Sequence, residues 1–152
     1  TFLDLKSSGK KRFPITDPRM TRFWISLTQS ADLVVKALLE TEGGEIFVPK
    51  LPAIKISDLA KAIDPACTLS YSGIRPGEKL HESLISDDEA RNTIDFKDLY
   101  VILPESFPTT IRQEKYNEYP PVPDGFFLRS DNPEIQLDRD KLIRLVRSFE
   151  IE

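Results

Sequence analysis

At 152 residues, with 39% hydrophobic and 30% charged residues, the chain has the makings of one ordinary hydrophobic core. No apolar run approaches the ~20 residues of a membrane-spanning helix, and a formal charge of −4 argues against nonspecific nucleic-acid binding. Cys67 and His81 are each the sole residue of their type, which excludes an internal disulfide and the usual zinc sites and makes a reducing, cytoplasmic setting the expectation. The charge is unevenly spread: residues 1–22 carry Lys6, Lys10, Lys11, Arg12, Arg19 and Arg22 against Asp4 and Asp17, for +4, which leaves −8 on the remainder. A basic leading segment on an acidic body suits a local anionic ligand, and solvated lysines are the plainer alternative.

In chain order, Thr1-Phe2-Leu3-Asp4-Leu5 reads as the end of an apolar helix already under way, so a fragment of a longer protein is expected. Residues 1–8 should be helical up to Gly9, and Phe13-Pro14-Ile15 extended. Ser26, with Gln29 three residues on, forms a capping box for a helix whose stripe is Leu27, Ala31, Val34, Leu38 and Leu39, stopped by Gly43-Gly44. Glu45-Ile46-Phe47-Val48 reads as a short buried strand in need of neighbours. Ser57 is placed as the cap of a second helix ending before Pro65, and Leu69 and Tyr71 mark a strand. Glu78 to Ile85 is expected to be a third helix with Leu80 and Leu84 inward, and Asp87-Asp88-Glu89 a solvated turn. Asp98 to Leu103 is a further strand.

Six of the 12 prolines fall between Pro104 and Pro133, so that stretch should be irregular. Asp138 then caps a last helix with Leu142, Leu145, Val146 and Phe149 on one face. The order of elements is α/β and calls for a parallel sheet. The expected division is residues 1–103 as an α/β part and 104–152 as a Pro-rich extension with the terminal helix.

Two arginine loops carry the chemistry. One is Pro14-Ile15-Thr16-Asp17-Pro18-Arg19-Met20-Thr21-Arg22-Phe23-Trp24; the other is Gly73-Ile74-Arg75-Pro76-Gly77-Glu78-Lys79. Guanidinium groups on stiff, proline-flanked loops suit phosphate, because a planar fork meets two phosphate oxygens at once. Together the loops suggest a diphosphate site. Arg19 reads more simply as the partner of Asp17, and Phe23-Trp24 as core. His81 has no evident nucleophile or carboxylate partner and reads as structural.

The first run, Gly43-Gly44-Glu45-Ile46-Phe47-Val48-Pro49-Lys50, and the second run continued through Leu80-His81-Glu82 closely resemble the C-terminal half of inverting UDP-N-acetylglucosamine 4,6-dehydratases. Those are extended short-chain dehydrogenase/reductases of bacterial polysaccharide biosynthesis, and the sister capsular-polysaccharide epimerases share much of the pattern. The resemblance covers about residues 1–103. It implies the C-terminal portion of a Rossmann-type enzyme, with Arg22 and Arg75 on the UDP diphosphate, Glu78 on the ribose, and Thr16 and the Ile15 backbone lining the base and sugar pocket. The implied reaction is an NADP-dependent lyase reaction on UDP-GlcNAc that inverts C5. The glycine-rich loop and the Tyr-x-x-x-Lys pair of that family are absent from this sequence. No catalytic residue, metal ligand or cofactor-binding residue is therefore expected here. NADP is expected on a preceding portion, and the chain alone should be catalytically silent.

The implied partners are a UDP-sugar, the Rossmann half of the same enzyme or another chain, and further copies in a homo-oligomer; neither nucleic acid nor a membrane span is expected. A non-catalytic nucleotide-sugar-binding or assembly module, left from a split enzyme, is the rival reading. A UDP-sugar epimerase is a third.

Overall fold

Alternation decides the first strand: Phe13 and Ile15 are buried while Arg12 and Pro14 face out, the two-residue period of a half-buried extended segment. The computed structural model describes residues 1–149, with side chains as far as Arg147. Phe149, expected on the face of the last helix, has its side chain outside the described set. The elements are α1 (Phe2–Ser7), β1 (Arg12–Ile15), β2 (Thr21–Phe23), α2 (Leu27–Glu40), β3 (Ile46–Pro49), β4 (Ala53–Lys55), α3 (Ile56–Ile63), β5 (Thr68–Tyr71), β6 (Ser83–Ile85), α4 (Asp87–Ala90), β7 (Thr93–Phe96), β8 (Leu99–Ile102), α5 (Thr109–Tyr116), β9 (Leu128–Arg129) and α6 (Arg139–Phe149). They fall into two compact units that interleave along the sequence.

The first unit takes Thr1–Trp24, Pro52–Glu82 and the chain from Ser130 on. Here β1 pairs with β5 in parallel, Phe13 opposite Leu69, and β2 pairs antiparallel with β4, Arg22 opposite Ile54. Its core joins Phe13, Ala60, Ile63, Cys67 and Val146, flanked by Leu5, Leu59, Leu69 and Phe2, whose ring stacks on Phe13 at 5.4 Å. Burial raises the Cys67 thiol above its ordinary pKa. Asp138 caps α6 as expected, its Oδ1 accepting from the Lys141 N–H at 2.8 Å, and Leu142 and Val146 are buried.

The second unit is Ile25–Leu51 with Ser83–Arg129. Its sheet runs β3-β8-β7, all antiparallel, and β6 pairs with β9. Ile94, Phe96, Val101, Leu103 and Tyr116 form the core, with Phe96 edge-on to Tyr116 and Tyr119.

Several expectations are corrected. Among the described residues the parallel pairing is limited to β1 with β5 and a single bridge between Ala53 and Gln136; the strand at Ile46 finds its neighbour in β8, running antiparallel. No helix spans Glu78–Ile85: residues 78–82 are irregular and Ser83–Ile85 is a strand. The carbonyls of Lys79 and Leu80, which a helix would spend on N–H groups four residues on, accept instead from the Arg22 guanidinium and the Thr21 N–H. The second helix starts at Ile56 with Lys55 at the cap position, two residues before the expected cap at Ser57, and Ser57 does not cap it. The Ile56 N–H donates to the Met20 carbonyl, so that end is satisfied by backbone. Asp87-Asp88-Glu89 forms a one-turn helix, with Ser86 and Glu89 in a capping box. The Pro-rich stretch contains the helix α5.

The helix at Ser26 starts as expected: Ser26 Oγ accepts from the Gln29 N–H at 3.1 Å, and Gln29 Oε1 accepts from the Ser26 N–H at 2.9 Å. Its stripe, however, faces water. Leu27, Leu38 and Leu39 are 89%, 72% and 81% exposed, and Val34 and Val35 are also exposed. The less exposed face is Ser30, Leu33, Lys36, Ala37 and Glu40, where Lys36 pairs with Asp98 and Glu40 with Lys97 at 3.5 Å and Lys115 at 3.7 Å. The helix is thus turned with its charged side toward its own unit.

Candidate functional site

The two arginine loops meet because β1 and β5 run side by side. Past their paired residues the ladder continues: the Ser72 N–H donates to the Ile15 carbonyl at 3.0 Å, and the Gly73 N–H to the Thr16 carbonyl at 3.1 Å. Both chains then leave the same end of the pair, one toward Arg22 and the other toward Arg75. Of the Ile15 main chain, the carbonyl is therefore engaged by Ser72.

Arg75-Pro76-Gly77-Glu78 makes a tight turn, with proline second and Gly77 third at φ 80°, closed by the Glu78 N–H donating to the Arg75 carbonyl at 3.0 Å. A side chain at Gly77 would be strained in that backbone conformation. Glu78 then folds back. Its Oε2 accepts from the Arg75 N–H at 3.2 Å and its Oε1 from the Thr16 hydroxyl at 3.1 Å, across 62 positions of sequence. Thr16, Arg75 and Glu78 are thus brought together with the carboxylate as their hub. The Arg75 guanidinium is exposed and has no hydrogen bond or ion pair among the described residues.

The upstream loop is a second proline turn. Asp17 leads Pro18, the Met20 N–H donates to the Asp17 carbonyl at 3.2 Å, and the Asp17 carboxylate receives Arg19 Nε at 3.0 Å and Nη2 at 2.9 Å. Those bonds, with one from the Arg19 N–H, hold the Asp17 carboxyl down at about 2. Arg19 is therefore a turn residue, as its sequence neighbour suggested.

Arg22 lies on β2, and its guanidinium is largely occupied. Nη1 donates to the carbonyls of Thr21 (2.7 Å) and Leu80 (3.3 Å), Nη2 donates to that of Lys79 (2.9 Å), and Nε faces Glu82 at 3.5 Å. Of five donors a guanidinium carries, one Nη2 hydrogen is left over. Arg22 ties its strand to the end of the loop that begins at Arg75.

Sequence reasoning missed the group beside it. Thr21 and Ser130 are 1% and 0% exposed, and their hydroxyls lie 2.7 Å apart; Thr21 Oγ1 is 2.8 Å from His81 Nδ1. Ser130 Oγ accepts from the Glu82 N–H at 2.9 Å, and His81 Nε2 stands 3.9 Å from Asp131. The available signal was a lone histidine next to a glutamate and a Ser-Asp pair inside a proline-rich stretch, neither of which points to the other. Among the described residues no cluster of His, Cys, Asp and Glu could hold a metal ion, and no helix is long and apolar enough to cross a membrane.

The arrangement defines a mixed α/β protein with an exposed arginine on a tight turn, and comparison places the fold. It matches Pen of Bacillus thuringiensis with a TM-score of 0.81 at 24% identity, over 99% of this chain and 45% of that one. Residues 1–104 match the sequence pattern of the polysaccharide biosynthesis protein family, and the chain belongs to that family. It is 40% identical to the inverting UDP-N-acetylglucosamine 4,6-dehydratase of Campylobacter jejuni, over 98% of this chain and 46% of the relative. It is 44% identical to the UDP-glucose 4-epimerase of Rickettsia massiliae over 66% of this chain and 30% of the relative. The chain spans less than half the length of these relatives.

Proposed function

We propose that this chain is the UDP-sugar-binding part of a nucleotide-sugar 4,6-dehydratase of the C5-inverting type. The observation that carries the reading is the convergence of Thr16, Glu78 and Arg75 on one turn, with a guanidinium left available for an anion. In this reading Arg75 takes the diphosphate, its remaining Nη2 hydrogen makes Arg22 a secondary contact, and Glu78 accepts from ribose hydroxyls while holding the turn. Thr16 and the Ile15 main chain line the uridine side. The chain's own residues bind and orient the sugar nucleotide. This sequence has neither a glycine-rich loop nor a Tyr-x-x-x-Lys pair to hold NADP, and no redox step is assigned to it.

The exposed face of α2 supports the same reading from another side. Leu27, Val34, Val35, Leu38 and Leu39 form an apolar strip suited to a cofactor-binding sheet supplied by a further polypeptide segment. The match to the epimerase over two-thirds of the chain supports an epimerase as the second reading.

Titration calorimetry with UDP-GlcNAc tests the proposal. Binding by the chain should weaken at least about tenfold in Arg75→Ala, the loss of one charge-assisted contact, while the fold is unchanged. Binding that is indifferent to Arg75 removes the diphosphate assignment.

A further inference from the structure

The sole histidine of the chain sits at the end of a buried hydroxyl relay that the proposed binding site does not use. The relay has a direction. Ser130 Oγ already accepts from the Glu82 N–H, and His81 Nε2 faces the Asp131 carboxylate, which favours a proton on Nε2 and leaves Nδ1 as an acceptor. The Thr21 hydroxyl then donates to Nδ1 and accepts from the Ser130 hydroxyl. Every donor in the chain Glu82 N–H, Ser130 O–H, Thr21 O–H finds an acceptor, in a place where Thr21 and Ser130 have almost no access to water.

A proton on Nδ1 reverses this order. The imidazolium must donate to Thr21, and whichever of the Thr21 and Ser130 hydroxyls then donates to the other, one of the two buried hydroxyl protons is left with no acceptor among the described contacts. The elements tied by the relay are those that hold Arg22: strand β2, through Thr21, and the segment Lys79–Glu82, whose carbonyls and carboxylate surround the guanidinium. The charged groups around the ring are Asp131 at Nε2, Asp17 of the β1–β2 turn, whose ionised form it favours, and the Arg22–Glu82 pair.

We infer that His81 is a positioning residue: with Nδ1 unprotonated it fixes the Arg22 strand to the Arg75 loop through Thr21 and Ser130, and on taking up a proton it releases that register, loosening the grip on a nucleoside diphosphate sugar. The inference rests on the proposed binding reading for its ligand, but not for the relay itself.

Two measurements separate them. In ¹⁵N-resolved NMR of the chain, the lone imidazole should show a protonated Nε2 and an acceptor Nδ1 at neutral pH. The Arg22 side-chain N–H signals should shift with its titration in wild type and stay put in His81→Asn, whose amide oxygen reaches the Nδ1 position without titrating. An Nδ1–H tautomer, or Arg22 signals that ignore the titration, overturns the inference whether or not a ligand binds. In calorimetry with UDP-GlcNAc, whose diphosphate diester keeps its charge across the range, wild-type affinity should fall about five- to tenfold between about pH 8 and about pH 5.5. His81→Asn should bind within about threefold of wild type at the upper pH and show no fall, and His81→Ala should bind weakly throughout. A pH-flat wild type that still requires Arg75 sinks the relay alone. Binding that does not require Arg75 sinks the site reading and leaves the NMR result to decide the relay.

Discussion

Glu78 offers the sharpest test of how the site is built, because its two carboxylate oxygens have different duties. Oε1 holds Thr16 on one strand exit and Oε2 holds the Arg75 N–H on the other, at 3.1 and 3.2 Å. Glu78→Ala deletes both bonds; Glu78→Gln keeps both, with its amide oxygen accepting from the Arg75 N–H and its amide nitrogen donating to the Thr16 oxygen. At a half-exposed position each bond contributes about 0.5–1.5 kcal/mol, so the alanine variant should lose about 1–3 kcal/mol of stability. For a chain of this size that corresponds to a fall in Tm of roughly 2–4 °C per kcal/mol, or about 2–12 °C in all. The glutamine variant should melt within about 1 °C of wild type. UDP-GlcNAc binding should drop about tenfold or more in alanine, and less in glutamine, which keeps the turn but not the charge. Circular dichroism melts and calorimetry read both quantities. Equal melting temperatures for wild type and Glu78→Ala would refute the claim that this carboxylate fastens the two loops.

Exposed and buried leucines should part company: the double change Leu38→Glu with Leu39→Lys should alter stability by no more than about 0.5 kcal/mol, whereas Leu142→Ala should cost about 2–5 kcal/mol. A denaturant titration showing comparable losses would mean that the α2 face is covered within this chain. Asp17 supplies an acid limit. Its carboxyl is held at about 2 by Arg19, below the ordinary 3.8, so its contribution is complete above the ordinary value and lost as pH falls through the depressed one. Asp17→Asn should remove that part of the stability slope between about pH 4 and about pH 2, leaving other carboxylates to supply the rest. An unchanged slope in the variant contradicts the pairing.

Much of the local structure was legible because it is written in local chemistry. Ser26 with Gln29, Asp138 with Lys141, and Arg75-Pro76-Gly77-Glu78 act over three or four residues, and each does what its side chains dictate. What escaped depended on distant partners. Leu80 and Leu84 have helical spacing, yet Arg22, nearly sixty residues away, claims the carbonyls that a helix there would need. Strands β4 and β7 are three and four residues long and take their form from neighbours. The stripe on α2 was visible, but the pattern gives an apolar face without saying what meets it. At the site, the residue types were readable and their division of labour was not. Arg75 and Arg22 look alike in sequence, and only the fold shows one guanidinium open and the other spent on carbonyls. The relay of Thr21, Ser130 and His81 joins positions with no common pattern.

The outward leucines of α2 carry a cost for any cell that makes this polypeptide by itself. An oily ridge on a well-capped, persistent helix cannot be hidden by local unfolding, so it stays adhesive for the lifetime of the protein. On the proposed reading, solubility becomes a matter of supply: the sheet that would cover the ridge has to be made nearby and in step, before chaperones or clumping claim it.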